Sequence, residues 1–221
     1  SYGYDDLNRL TTTTYSHTSH PEYNYSSYNN YDETGNILNK DTEADPSKGN
    51  RNYFYGTTKP HAVKSFIGRA YIYDNMNYDY SYDANGNMTT EIISDPQGIQ
   101  MPIMKNFSYD SDNRLKSVFG PGNTSSYLYD YSGERVKKIN NGTETLYVGG
   151  LTQFSGFTKM YFIFDGVNRI AVKKNIGASE TTFFLHTDHV GSTGLVTTSE
   201  GLKYEQVEYK SFGEIYASWR S

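Results

Sequence analysis

The sequence contains no cysteine, so disulfide staples and thiolate metal sites play no part in it. No apolar run approaches the roughly 20 residues that cross a membrane as a helix. Lys and Arg are scattered along a mildly acidic chain without a basic stripe, which argues against a nucleic-acid partner. Strong hydrophobes are also scarce: Leu, Ile, Val and Phe make up 42 of 221 residues, close to the level at which chains stay disordered. The net charge of only -5 and the 23 tyrosines oppose disorder, because phenol rings bury area while their hydroxyls stay wet. Such side chains suit a thin curved wall, with one face toward solvent and one toward a partly polar lumen, better than a solid apolar core. No stretch shows a convincing 3.6-residue apolar period, so helix should be scarce. The chain opens at Ser1 without an initiator Met or a charged-then-apolar leader, which reads as a piece of a longer protein.

What the sequence has in abundance is one short pattern. Tyr82-Asp83-Ala84-Asn85-Gly86-Asn87-Met88 recurs imperfectly as Tyr4-Asp5-Asp6-Leu7-Asn8, Tyr31-Asp32-Glu33-Thr34-Gly35, Tyr73-Asp74-Asn75-Met76-Asn77, Tyr109-Asp110-Ser111-Asp112-Asn113, Tyr129-Asp130-Tyr131-Ser132-Gly133 and Phe164-Asp165-Gly166-Val167-Asn168. Each copy reads as a hairpin corner. The aromatic residue closes a strand, Asp accepts hydrogen bonds from amides beyond it, and Gly or Asn three places on tolerates positive φ. A type I turn followed by a left-handed residue is the commonest three-residue hairpin connection. Of the 14 Asp, 9 have Gly or Asn three places on, against roughly two or three expected by chance, and such regularity signals an array.

Other corners follow from Asp95-Pro96-Gln97-Gly98, from Gly149-Gly150 and from Asp188 to Gly191, while residues 41–50 are the most loop-like segment. Short extended segments between such frequent turns predict an all-β fold of short antiparallel strands and hairpins. Turn copies on both sides of the 41–50 segment make residues 1–221 a single repeat region.

Few residues could carry chemistry. His186-Thr187-Asp188-His189 is the densest cluster of possible metal ligands, but on a strand His186 and Asp188 share a face while His189 points away, so the segment offers at most two. The structural reading, with Asp188 forming its own turn, is preferred, and no metal or cofactor is expected. Ser192 sits in Gly191-Ser192-Thr193-Gly194, which lacks the spacing of a nucleophile elbow. The repeat Asp residues are assigned to turn hydrogen bonds, which leaves no catalytic carboxylate pair. Five Asn-x-Ser/Thr matches, at Asn24, Asn87, Asn106, Asn123 and Asn141, arise easily in an Asn- and Thr-rich chain.

The Tyr-Asp-x-x-Gly-Asn units resemble the tyrosine-aspartate (YD) repeats of Rhs proteins. His186-Thr187-Asp188-His189-Val190-Gly191-Ser192-Thr193, followed by Glu208-Tyr209-Lys210-Ser211-Phe212-Gly213-Glu214, resembles the Rhs-associated core, so that 183–214 corresponds to that segment. The resemblance implies a sheet that spirals into a hollow β-shell, as in bacterial Rhs toxins, insecticidal toxin complexes and the related barrels of teneurins. It further implies a non-catalytic wall that encloses a C-terminal toxin or other cargo polypeptide, in a secreted or cell-surface protein. The partners implied are the rest of the same polypeptide and its cargo. The family's self-cleaving Asp-Pro-x-Gly-Leu segment would follow Gly213-Glu214, where the chain continues only to Ser221. Asp95-Pro96-Gln97-Gly98-Ile99 lies upstream of the core, and the cleavage role is not transferred to it. The other expectation, from a different class, is a surface module that binds glycans or a receptor through exposed aromatics.

Overall fold

The computed structural model describes residues 1–16, 18, 21, 24–42, 51–70 and 73–220, with backbone only for 41, 42, 69, 70 and 73–75. It is all-β, and no α-helix occurs among the described residues. Two compact units divide at residue 124. In the first, β1 (Tyr2–Tyr4), β2 (Leu10–Tyr15), β3 (Tyr25–Tyr31), β4 (Ile37–Thr42), β5 (Arg51–Tyr55), β6 (Val63–Ala70), β7 (Tyr73–Tyr82), β8 (Met88–Ser94), β9 (Ile103–Tyr109) and β10 (Leu115–Gly120) each pair antiparallel with the next. In the second, the same holds from β11 (Asn123–Tyr129) through β12 (Arg135–Asn140), β13 (Thr143–Val148), β14 (Thr152–Ser155), β15 (Thr158–Asp165), β16 (Asn168–Ile176), β17 (Ser179–Thr187), β18 (Thr193–Thr198) and β19 (Lys203–Tyr209) to β20 (Ile215–Arg220).

A meander puts successive hairpins at alternate ends of the strands, and this sorts the turns. Asp5, Asp32, Asp83 and Asp110 link β1 to β2, β3 to β4, β7 to β8 and β9 to β10, so within the first unit all four lie along one edge. Within the second unit the Asp130 and Asp188 turns likewise share an edge, linking β11 to β12 and β17 to β18. Asp95 turns at the opposite edge of the first unit, between β8 and β9.

Two of the expected corners differ. Tyr73 through Asn77 lie inside the ten-residue β7, not in a turn. Ala70 already pairs with Tyr73, and Ile67 with Asn77, so the chain has reversed before Asp74, and a corner there would break the ladder. Asp165 ends β15 and pairs directly with Asn168, which leaves Gly166-Val167 as a two-residue connection. Gly166 has φ 61° while Val167 stays at negative φ, the pattern of a II′ turn with Gly at its first central position. The Gly149-Gly150 corner forms as expected, both residues having positive φ. Residues 43–50 and Tyr71-Ile72 lie outside the described residues.

The apolar core of the first unit is a row running across the sheet. Tyr53 pairs with Phe66, Phe66 with Tyr78, Tyr78 with Ile93, and Ile93 with Ile103, so one residue from each of β5 to β9 stands side by side on the same face. Their ring centroids are 5.3 Å apart for Tyr53 and Phe66, and 4.2 Å for Phe66 and Tyr78. Met76, Tyr78 and Ile93 are buried, with Phe66, Tyr80 and Ile103 packed against them. Stacked aromatic neighbours add about 0.5–1.5 kcal/mol each beyond the area they bury. Gly68 leaves room for the row, since a Cβ there would lie 2.6 Å from a Phe66 ring carbon. Because Phe66 touches rings on both flanking strands, Phe66→Ala should destabilise the chain by about 3 kcal/mol, read as a lower denaturant midpoint. Replacing Phe119, which is 64% exposed, should leave the midpoint within about 0.5 kcal/mol.

Candidate functional site

Functional geometry concentrates at the edge where the Asp turns gather. In each turn the Asp amide donates to the carbonyl four residues on and the amide three residues on donates back: Asp83 N to Asn87 O at 2.9 Å and Gly86 N to Asp83 O at 3.2 Å, for example. The returning residue must adopt positive φ, which Gly86 does at 92° and Asn8 and Asn113 do at 59° and 61°. The Asp side chain then fills the inside of the turn. One Asp32 oxygen accepts the Thr34 and Asn36 amides, both at 2.9 Å, and the other accepts Asn36 Nδ2 at 2.8 Å. Arg9 Nε closes the Asp5 turn in the same way at 2.6 Å, and Arg114 Nε the Asp110 turn at 2.7 Å.

These bonds fix the protonation state. Burial pushes the Asp32 carboxyl up, but the bonds from Thr34 and Asn36 outweigh it and bring its pKa down to about 2. Amides and side chains, chiefly from the residue four places on for Asp5, Asp83, Asp110 and Asp188 and from Ser132 for Asp130, hold those carboxyls below their usual range. A carboxylate that already accepts from its own turn is a poor general base and makes a structural contact instead.

The turns of the first unit are also joined sideways. Arg9 Nη1 donates to Asp32 O at 3.0 Å. Asn36 Nδ2 donates to Pro60 O while its Oδ1 faces His61 Nδ1, each at 2.9 Å. Lys59 Nζ donates to Asp83 O at 2.6 Å, and Asn85 and Asn87 both donate to Asn113 Oδ1, at 2.9 and 2.8 Å. Five successive hairpin ends, from Asp5 to Asp110, are thereby stitched into one line.

The tyrosines make a second line of stitches. Tyr31 pairs with Ile37, and Tyr55 donates to the Ile37 carbonyl at 2.9 Å; Tyr55 pairs with Val63, and Tyr82 donates to the Val63 carbonyl at 2.6 Å. Tyr31 itself reaches back to Leu10 O at 2.8 Å, and in the second unit Tyr209 reaches Thr193 O at 3.1 Å. Each phenol therefore bonds the residue that faces the preceding corner across its hairpin. Burial raises the pKa of Tyr31, Tyr55 and Tyr82, which keeps them donors. The sequence reading gave these rings only the task of ending strands. The missed signal was their spacing: Tyr4, Tyr31, Tyr55, Tyr82 and Tyr109 recur at intervals of 24 or 27 residues, whether or not Asp follows.

The residues singled out for chemistry are not brought together. His186 Nε2 lies 3.0 Å from Thr197 Oγ1 within the sheet, and the Asp188 carboxylate accepts the Val190 and Ser192 amides at 3.0 and 2.9 Å. His189 and Ser192 sit in the resulting turn. Among the described residues, no three His, Asp or Glu gather where they could hold a metal ion. Two further corners escaped the sequence reading. Thr198 to Gly201 and Lys210 to Gly213 close with the same two main-chain bonds although no Asp is present.

No family model matches the chain. It is 23% identical over 228 residues to teneurin-3 of Mus musculus, an alignment that takes in 84% of this chain and 8% of teneurin-3. Among solved structures it is similar to the crystal structure of TcdB2-TccC3, at 15% identity and a TM-score of 0.46 over 99% of this chain and 15% of that one. It is similar also to the Photorhabdus luminescens Tc holotoxin pore, at 15% identity and a TM-score of 0.41 over 99% of this chain and 14% of that one. The chain thus spans a small part of each of these proteins. Its stitched Tyr-Asp turns and the likeness to teneurin-3 agree on a YD-repeat-like fold.

Tyr31→Phe, Tyr55→Phe and Tyr82→Phe should each cost about 1 kcal/mol, with the triple variant departing from the sum because each phenol bonds the cross-strand partner of the one before, whereas Tyr28→Phe, whose ring is exposed, should cost nothing measurable. Denaturant titration of the single variants and the triple variant reads this. The carboxylates set an acid limit. Since the Asp32 pKa falls from 3.8 to about 2 on folding, its stabilisation is complete above 3.8 and is lost as pH drops toward 2. Thermal melts should show a midpoint that is level near neutrality and falls across that window, with a shallower fall in Asp32→Asn.

Proposed function

We propose that this chain is a non-catalytic wall segment of an Rhs-type β-shell that encloses and shields a cargo polypeptide, in a secreted or surface-displayed protein. The observation that carries the reading is the fate of the corner aspartates: the carboxylates of Asp5, Asp32, Asp83, Asp110, Asp130 and Asp188 accept from their own turns, and the turns of the first unit are tied to one another along one edge. Such an arrangement spends these carboxylates on holding neighbouring hairpins in register rather than on turnover. The Tyr-Asp repeats, the resemblance of 183–214 to the Rhs-associated core, and the similarity to teneurin-3 support the same reading. The remainder of the polypeptide is the principal partner, because the strands of a YD-type sheet continue into further repeats.

The test is protection. In the full parent polypeptide, a folded or unfolded cargo fused beyond the core segment should survive a protease that digests the same cargo alone. Combining the Tyr31, Tyr55 and Tyr82 substitutions should shorten that survival. Cargo cleaved equally fast in both settings overturns the enclosure, and glycan binding lost on replacing the exposed Tyr131 and Phe157 would install the recognition-module reading in its place.

A further inference from the structure

The second unit contains a groove that the wall reading does not use. A cavity of about 770 Å³ opens at the edge where the Asp130 turn lies, bounded by Glu134 and Arg135 at that turn, Tyr147 on β13, Gln153 on β14, Phe162 on β15 and Arg169 on β16. Its floor is low for a local reason. β14 has only four residues, and the adjoining corner is Gly149-Gly150, which contributes no side chain between the rings of Tyr147 and Phe162.

Each wall of the groove carries an arginine set over aromatic rings. The Arg135 guanidinium carbon lies 4.5 Å from the Tyr147 centroid and 5.8 Å from that of Tyr127. The Arg169 guanidinium lies 4.2 Å from the Phe162 centroid and 5.5 Å from that of Phe164. Stacking occupies the face of a guanidinium and leaves the in-plane N–H groups as donors. Among the described residues neither side chain has an ion pair or a hydrogen bond.

The first unit shows what such a guanidinium takes. Arg9 stacks 4.8 Å from the Tyr31 centroid, donates to the Asp5 carboxylate at 2.6 Å, and donates to the Asp32 main-chain carbonyl at 3.0 Å. Arg114 engages the carboxylates of Asp110 and Asp112, at 2.7 and 3.0 Å. In the second unit Arg135 and Arg169 likewise follow corners, but without such a carboxylate partner among the described residues. Arg135 falls five residues after Asp130, not four, and the two-residue turn after Asp165 forms no inward-facing carboxylate.

We infer that this groove binds an acidic polypeptide segment of another chain, with Arg135 and Arg169 each receiving a carboxylate and the flanking rings packing against its backbone. A peptide offers the two acceptors that Arg9 uses, a carboxylate and a main-chain carbonyl. The lining also carries two carboxylates, Glu134 and Asp130, the latter engaged by Ser132 and the Glu134 amide, and both disfavour multiply charged phosphates, which concentrate more negative charge at one point than a single carboxylate does. The inference stands whether or not the chain lines a shell.

Titration calorimetry of the 221-residue chain at low salt tests it, with a blocked peptide carrying two spaced glutamates, its glutamine counterpart, inorganic phosphate and a hexuronate oligosaccharide as the four probes. The glutamate peptide should bind, and the glutamine peptide should not. Arg135→Gln and Arg169→Gln should each weaken binding by about tenfold or more, while the paired Lys substitutions should retain part of it and keep the thermal midpoint as a check on folding. Raising the salt should weaken the complex. No binding of the glutamate peptide, equal binding of the glutamine peptide, undiminished affinity in the Gln variants, or a preference for phosphate or hexuronate overturns the assignment.

Discussion

The structure depends on closing a three-residue corner without leaving a main-chain polar group unpaired. The two reciprocal main-chain bonds of each corner require one residue at positive φ, and everything else at the edge is arranged around that requirement. Thr198 to Gly201 and Lys210 to Gly213 make the hierarchy visible, for they keep the bonds and the glycine while dispensing with Asp. The aspartate is therefore an addition to the corner. It satisfies the amides that face into the turn, and at Asp5, Asp32, Asp83 and Asp110 it recruits the side chain four residues on.

That recruited side chain turns a local motif into a lateral one. Arg9, Asn36 and Asn87 each serve their own aspartate and also bond a neighbouring turn or its connecting loop. The tyrosine before the corner adds a link to the hairpin before it, so that strand pairing, turn stitching and phenol bonding act on the same neighbours. A sheet poor in aliphatic side chains gains cohesion in this way through many hydrogen bonds of about 1 kcal/mol each, with the row from Tyr53 to Ile103 as its apolar counterpart. The same economy explains the groove of the second unit. There the Asp130 carboxylate is met by Ser132 and by the Glu134 amide, with no side chain from four residues on, and among the described residues Arg135 and Arg169 lie over rings without an ion pair of their own.

Much of this was legible in the order of residues. A corner is a local object: Asp32, Asp83, Asp110, Asp130 and Asp188 each find their acceptors and donors within four residues, so a short pattern identifies them. The all-β class follows from the density of such corners. Asp74 and Asp165 carry the same letters but different backbones, because the pairing of Ala70 with Tyr73 and of Asp165 with Asn168 places the reversal elsewhere. Cross-strand register overrode the local preference in both places.

The sequence by itself determined that the chain bends often, that its strands are short, and that the bending aspartates are engaged within their own turns, since each of these is settled among near neighbours. Only the tertiary structure decided that the aspartate corners, apart from that of Asp95, gather on one edge of each unit, that Tyr55 without an aspartate serves as Tyr31 and Tyr82 do, that five residues from five strands form one row, and that Arg135 and Arg169 share a groove. Those features join residues separated by many positions along the chain, and their geometry comes from strand register and the alternation of hairpin ends, which no single segment encodes.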